Sequence, residues 1–135
     1  MSYGPSITLD DAKKVAAAAL TEARAHQWIM AVAVVDTHGD LVYFEKMDDT
    51  PLGSTLVCQD KARSAARFKR PTKVFQDMLA SGGEGVRVLL FQGAVPVEGG
   101  LPVLKDGKVV GAVGLSGGTS PQDGQCAQAG LAALA

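Results

Sequence analysis

The dipeptide Asp106-Gly107 constrains this chain more than any other feature, because it stands between two apolar runs, residues 101–105 and 108–115. A two-residue type I′ turn needs φ > 0 at both central positions. Asp-Gly meets that need, so the two runs are predicted to be the arms of an antiparallel hairpin. The second arm carries Gly111 and Gly114 where side chains would otherwise stand. Glycine inside a strand marks a bulge or a place where another backbone or a ligand comes close. Beyond the hairpin, residues 116–123 read as a loop entering a final helix at Pro121, whose unpaired N–H groups suit an anionic ligand group.

Upstream, helical and strand spacings alternate with no linker and no internal repeat. Thr8-Leu9-Asp10-Asp11 fits a capping box, and residues 12–26 carry Val15, Ala16, Ala19, Leu20 and Ala23 at helical spacing. Residues 29–35 form a β-branched run, 36–40 a glycine-containing turn and 41–46 a second strand, which together predict another hairpin. Residues 51–68 are helical in composition, with Leu52, Leu56, Gln59, Arg63 and Ala66 on one face and Pro71 closing the helix. A short helix over 72–79 follows, then a loop at 82–85 and a buried strand over 86–91. Hairpins bracketed by helices, without a βαβ crossover, predict an α+β fold with a single antiparallel sheet of about five strands packed by helices. One domain over residues 1–135 accommodates all of it.

Composition narrows the partners. The 13 basic and 14 acidic residues nearly cancel, which argues against nucleic acid or an anionic membrane as a partner. The N-terminal residues show no basic segment followed by an apolar one, and no run approaches the roughly 18 apolar residues that span a bilayer. The expected location is cytoplasmic, with Cys58 and Cys126 as free thiols. A phosphate loop, a GxSxG elbow, a HExxH pair and a Cys/His quartet are all missing, so no metal site is predicted.

Several pieces stand in a fixed order along the chain: Ala33-Val34-Val35-Asp36-Thr37-His38-Gly39, Met47-Asp48-Asp49-Thr50-Pro51-Leu52-Gly53, Asp60-Lys61-Ala62, Arg70-Pro71-Thr72, Gly99-Gly100-Leu101-Pro102, and Val113-Gly114-Leu115-Ser116-Gly117 with Gln122-Asp123. Taken in that order, they resemble the GlcG/HbpS family. The resemblance runs from Ile7 to Leu134. It implies a profilin-like α-β-α layered fold and a homo-oligomer, a dimer or larger. The small-sided, charge-poor helix at 126–135 agrees, since such a helix is either sandwiched in its own core or covered by a neighbouring subunit. Characterised members of the family include haem-binding and haem-responsive proteins, a domain attached to a corrinoid-processing enzyme, and lyases acting on hydroxylamino-aromatic acids. Three readings follow: a protein binding a small aromatic or tetrapyrrole carboxylate, a cofactor-independent lyase on an acid such as hydroxylaminobenzoate, and a noncatalytic oligomerisation module. None requires a cofactor, and haem is admitted as a ligand.

Candidate site residues can be weighed within that resemblance. Basic residues on a helix such as 51–68 ordinarily form a solvated face. Lys61 stands out as the lysine of the Asp60-Lys61-Ala62 piece, on a helix whose first part is poor in charge. Its ammonium is expected to point into a pocket between helices, where it can hold a carboxylate or propionate, and Arg67 or Arg70 can do so bidentately. Glu98 precedes Gly99-Gly100, where paired glycines let a ligand approach the backbone. A carboxyl in an apolar pocket can have its pKa raised into the general-acid range, so Glu98 and Glu45 are the catalytic candidates. Gly99, Gly100, Ser116, Gly117 and Asp123 complete the expected ligand set, although Asp123 equally suits the dipole of its helix.

In the lyase reading, a basic residue clamps the ring carboxylate and Glu98 or Glu45 protonates the departing N–OH oxygen. Another carboxylate activates the entering water, and ammonia leaves. Asp36 and Asp40 are expected to serve their turn. His26 and His38 are placed in a last helical turn and a tight turn, neither of them facing a pocket. A bound iron would then look to Tyr43, Met47, Cys58, Cys126 or the loop at 116–120. The acid that the family often carries after Gln-Asp is Gly124 here.

Overall fold

The computed structural model describes residues 1–135. Its elements are α1 (Leu9–Ala25), β1 (Ala31–Val35), β2 (Leu41–Lys46), α2 (Ser54–Phe68), α3 (Thr72–Ala80), a 3-10 helix (Gly83–Leu90), β3 (Gly100–Lys105), β4 (Lys108–Ser116) and α4 (Ser120–Ala132). The Asp106-Gly107 turn has φ of 53° and 74°, and β3 and β4 pair antiparallel from it, with Lys105 opposite Lys108. The sheet is wholly antiparallel, in the order β2-β1-β4-β3.

Four strands form where about five were expected, because residues 86–91 do not join the sheet. They coil as a 3-10 helix in which only Val88 is buried, and Phe91 turns to stack on Phe68, with ring centroids 6.4 Å apart. A short apolar run has the same periodicity whether it is a strand or a helix. Here both edges of the sheet lie elsewhere, so the run has no strand to pair with.

Burial explains the layering. Every residue of β1 is buried, because successive side chains feed opposite faces. Val32 and Val34 join Val15, Leu20, Val113, Leu115 and Cys126 in a core under α1 and α4. Ala31, Ala33 and Val35 face Cys58, Ala62, Ala65 and Ala66 of α2. The first core gains about 1.5–3 kcal/mol for each large side chain removed from water. The second is a seam of small residues, and α2 settles close onto the sheet. A Cβ at Gly114 would sit 2.6 Å from Ala62 N and collide with the Cys58 carbonyl, which is why the strand carries glycine there.

Side-chain caps start α1 and α4, whereas α2 and α3 begin without one. Thr8 Oγ1 accepts from Asp11 N at 3.2 Å, but the Asp11 carboxylate turns to Lys105 instead of completing a box. The complete box is at α4, where Thr119 and Gln122 bond each other's backbone N–H. No helix is long and apolar enough to cross a membrane.

Candidate functional site

The N-terminus of α4 receives an anion, and that anion belongs to the protein. Asp123 Oδ1 accepts from Gly118 N at 3.0 Å, and its Oδ2 lies 3.0 Å from Lys61 Nζ. Lys61 also donates to Leu115 O at 2.9 Å. Lys61 is 1% exposed and Asp123 3%, so two charges are paired out of water. The ammonium comes from α2 on one face of the sheet and the carboxylate from α4 on the other, so the pair ties the outer layers together past the end of β3. Gly99 makes the crossing possible: a Cβ there would lie 2.8 Å from Lys61 Nζ and 3.0 Å from Asp123 Cβ, and its φ of +132° is one that side chains avoid. Burial pushes the Asp123 carboxyl above its ordinary value, the Lys61 charge and the Gly118 N–H draw it down, and the Glu98 charge adds an upward push.

Glu98 stands directly over this pair. Its backbone N donates to Gln76 Oε1 at 2.8 Å, and its carboxyl fills the space beside Gly124, where a Cβ would be 2.9 Å from Glu98 Cδ. A depression of about 240 Å³ opens here, lined by Pro71, Lys73, Glu98, Gly99, Gly100 and Gly124 among others. Thr72 Oγ1 accepts from Gly100 N at 2.9 Å and fixes the floor. Asp77, 3.0 Å from Lys73 Nζ, raises the Lys73 ammonium, and Glu98 adds to this. The cavity therefore offers an acid, a cation and a backbone floor.

Of the candidate site residues, the structure gathers Lys61, Glu98, Gly99, Gly100 and Asp123. Ser116 and Gly117 are adjacent but do not line the cavity: Ser116 is buried opposite Ala31, and Gly117 packs on Ile29 and Met30. Lys61 differs from expectation in having its charge already neutralised within the fold. Glu45 lies on β2, at the opposite edge of the sheet from Glu98, and accepts from Tyr43 Oη at 2.8 Å.

Arg67 lies elsewhere again, exposed near the C-terminal end of α2. It lines a groove of about 520 Å³ with Tyr3, Thr37, His38 and Asp40. His38 thus faces a groove after all, because the N-terminal segment and α2 both border its turn. His26 is stacked on Trp28 at 4.4 Å and lies 3.2 Å from Glu22. Sequence reading missed Thr72 and Gln76 as supports of the Glu98 cavity, and Tyr3 as a wall of the groove. Thr72 lay within a motif already noted, whereas nothing local marks Gln76 or Tyr3.

The fold is thus an α-β-α layered unit in which a sealed ion pair joins the outer layers, with depressions of about 240 Å³ beside Glu98 and about 520 Å³ beside His38. The family model for haem-degrading HbpS-like proteins matches residues 7–132, and the chain belongs to that family. It is 39% identical to the protein GlcG of Escherichia coli K12 over 106 residues, 78% of this chain and 77% of that one. The crystal structure of HbpS superposes with a TM-score of 0.89 at 29% identity, over 100% of this chain and 94% of that one. A crystal structure of a PduOC–haem complex superposes with a TM-score of 0.84 at 29% identity, covering 95% and 94% of the two chains.

Proposed function

We propose that this chain binds haem or a related planar ring bearing carboxylates, as an oligomer in the cytoplasm. The observation that carries the reading is the likeness of 95% of this chain to a relative whose crystal structure is a haem complex. The donors present in the chain fit such a ligand. Cys58 and Cys126 are buried thiols pushed up to about 12, Met47 Sδ accepts from Met30 N, and Tyr43 donates to Glu45, so these groups are engaged. His38 is exposed, and its Nε2 makes no hydrogen bond within the chain, while Nδ1 lies 3.4 Å from Thr37 Oγ1. That imidazole would hold the iron, and Arg67 beside it carries a charge suited to propionate. Bound haem would supply a redox-active iron; the chain's own residues orient and partly cover it.

Titrating the protein with haem is expected to give a saturable Soret shift, and a shift proportional to added haem without saturation would refute the reading. Light scattering should give at least a dimer mass. The exposed Leu52, Leu56 and Leu90, 86%, 68% and 85% accessible in the single chain, are surfaces that association can cover.

The Glu98 cavity favours a second reading, a lyase on a hydroxylamino-aromatic acid. At about 240 Å³ it suits a single ring rather than a macrocycle. Lys73 would take the ring carboxylate and Glu98 would protonate the departing N–OH oxygen; one water is consumed and one ammonia released. Ammonia release from hydroxylaminobenzoate should disappear in Glu98→Gln while substrate binding persists, since the amide accepts a hydrogen bond but delivers no proton. Equal turnover by the variant would rule out this role.

A further inference from the structure

We propose that the groove between the β1–β2 turn and the C-terminal end of α2 is the subsite for the ligand's carboxylate arm. Arg67 is its binding residue, and Asp40 limits its affinity. The inference rests on the haem reading above.

Arg67 Nε donates to His38 O at 2.9 Å, which fixes the guanidinium, yet neither of its Nη groups has a partner in the chain. The neighbouring Arg63 is engaged on both sides, with Nε 3.4 Å from Gly39 O and Nη1 3.5 Å from Asp60. A guanidinium with one edge held and the other edge free is arranged to take a carboxylate bidentately, with little further ordering on binding. The wall it stands in is rigid. Asp36 Oδ1 accepts from His38 N at 2.8 Å and from Asp40 N at 3.0 Å, which locks the turn.

Tyr3 Oη bonds the same end of α2, at 2.7 Å from Ala66 O and 3.2 Å from Arg67 O, and Lys69 Nζ lies 4.7 Å from the Tyr3 ring centroid. The groove thus places a phenol ring, an imidazole and a free guanidinium edge around about 520 Å³, a volume within the range of small-molecule sites. Arg67 favours an anion there. Asp40 opposes it, because its carboxylate has no partner and lines the same space.

The test compares protoporphyrin IX with its dimethyl ester, in which both propionates are blocked and no iron is present. The parent chain should bind the diacid about tenfold more tightly than the ester, as expected for loss of one charge-assisted contact. Arg67→Met should weaken the diacid by about that factor, leave the ester unchanged, and so close the gap. Asp40→Asn should do the reverse, tightening the diacid severalfold without affecting the ester. Its side chain makes no bond in the turn, so it carries the test even where Arg67→Met loosens the loop.

Equal effects of Arg67→Met on acid and ester, together with unchanged diacid affinity in Asp40→Asn, would overturn the subsite and leave haem binding standing. No binding of protoporphyrin IX or haem by the parent chain would remove both.

Discussion

Lys61 and Arg67 lie less than two turns apart on the same helix and meet opposite fates. Lys61 is sealed against the sheet with Asp123 at 3.0 Å, whereas Arg67 is exposed and bonds only a backbone carbonyl. About 9 Å of rise and about 240° of rotation separate them, enough to put one charge on the inner face and the other at the rim. The two regions show that a basic residue on such a helix is a structural tie or a free recognition group according to what the opposing layer offers. At Lys61 that layer offers a buried carboxylate, and at Arg67 it offers a turn and open water.

The sharpest way to break this comparison is to remove one partner at the sealed end. Lys61→Met leaves the Asp123 carboxylate buried without its cation and should cost about 3–5 kcal/mol of stability in urea unfolding. Replacing both residues, Lys61→Met with Asp123→Leu, should cost less than either single change, because no unpaired charge then remains. A double variant as unstable as the sum of the singles would mean that the pair is not a closed unit.

Next in size is the seam beneath the pair. Gly114→Ala should lower stability by about 1–3 kcal/mol, since its methyl must displace the Cys58 carbonyl and α2 with it. Thermal unfolding beside Gly53→Ala checks this. At Gly53 the backbone is already helical and a Cβ meets nothing within 4 Å, so that change should be neutral or slightly stabilising.

Cys58 lies in the same seam and sharpens the contrast through pH. Burial pushes its thiol from 9.0 up to about 12, and that of Cys126 likewise. Unfolded chains lose these protons first, so the folded state binds more protons between those values, and stability declines as pH rises from about 9 towards about 12. Urea midpoints measured from pH 8 to 11 should fall over that range. Native protein at pH 8 should react with a disulfide reagent far more slowly than unfolded protein.

The smallest effect belongs to the open end. Arg67→Met should change stability by less than about 1 kcal/mol, as for other exposed charges, and circular dichroism melts can show it. A loss as large as that at Lys61 would erase the distinction between the two ends.

Short-range features were legible in the chain itself. The Asp106-Gly107 hairpin, the strand at 41–46, the end of α2 at Phe68 and the entry to α4 all follow from φ preferences and side-chain periods that act within a few residues. The pieces carrying the family resemblance were legible in the same way, since each is a contiguous run, whether in a turn, in a strand or, as with Asp60-Lys61-Ala62, inside α2.

Tertiary structure decided the rest. It denied residues 86–91 a strand partner, joined Lys61 to a carboxylate 62 positions away, and separated Arg67 and Glu45 from Glu98. It also brought Tyr3, His38 and Arg67 around one groove. A local motif specifies where a charged group leaves the backbone. What that group meets depends on which distant segments the core brings together, and water or a partner at that meeting point determines whether the charge is tied up or free to bind.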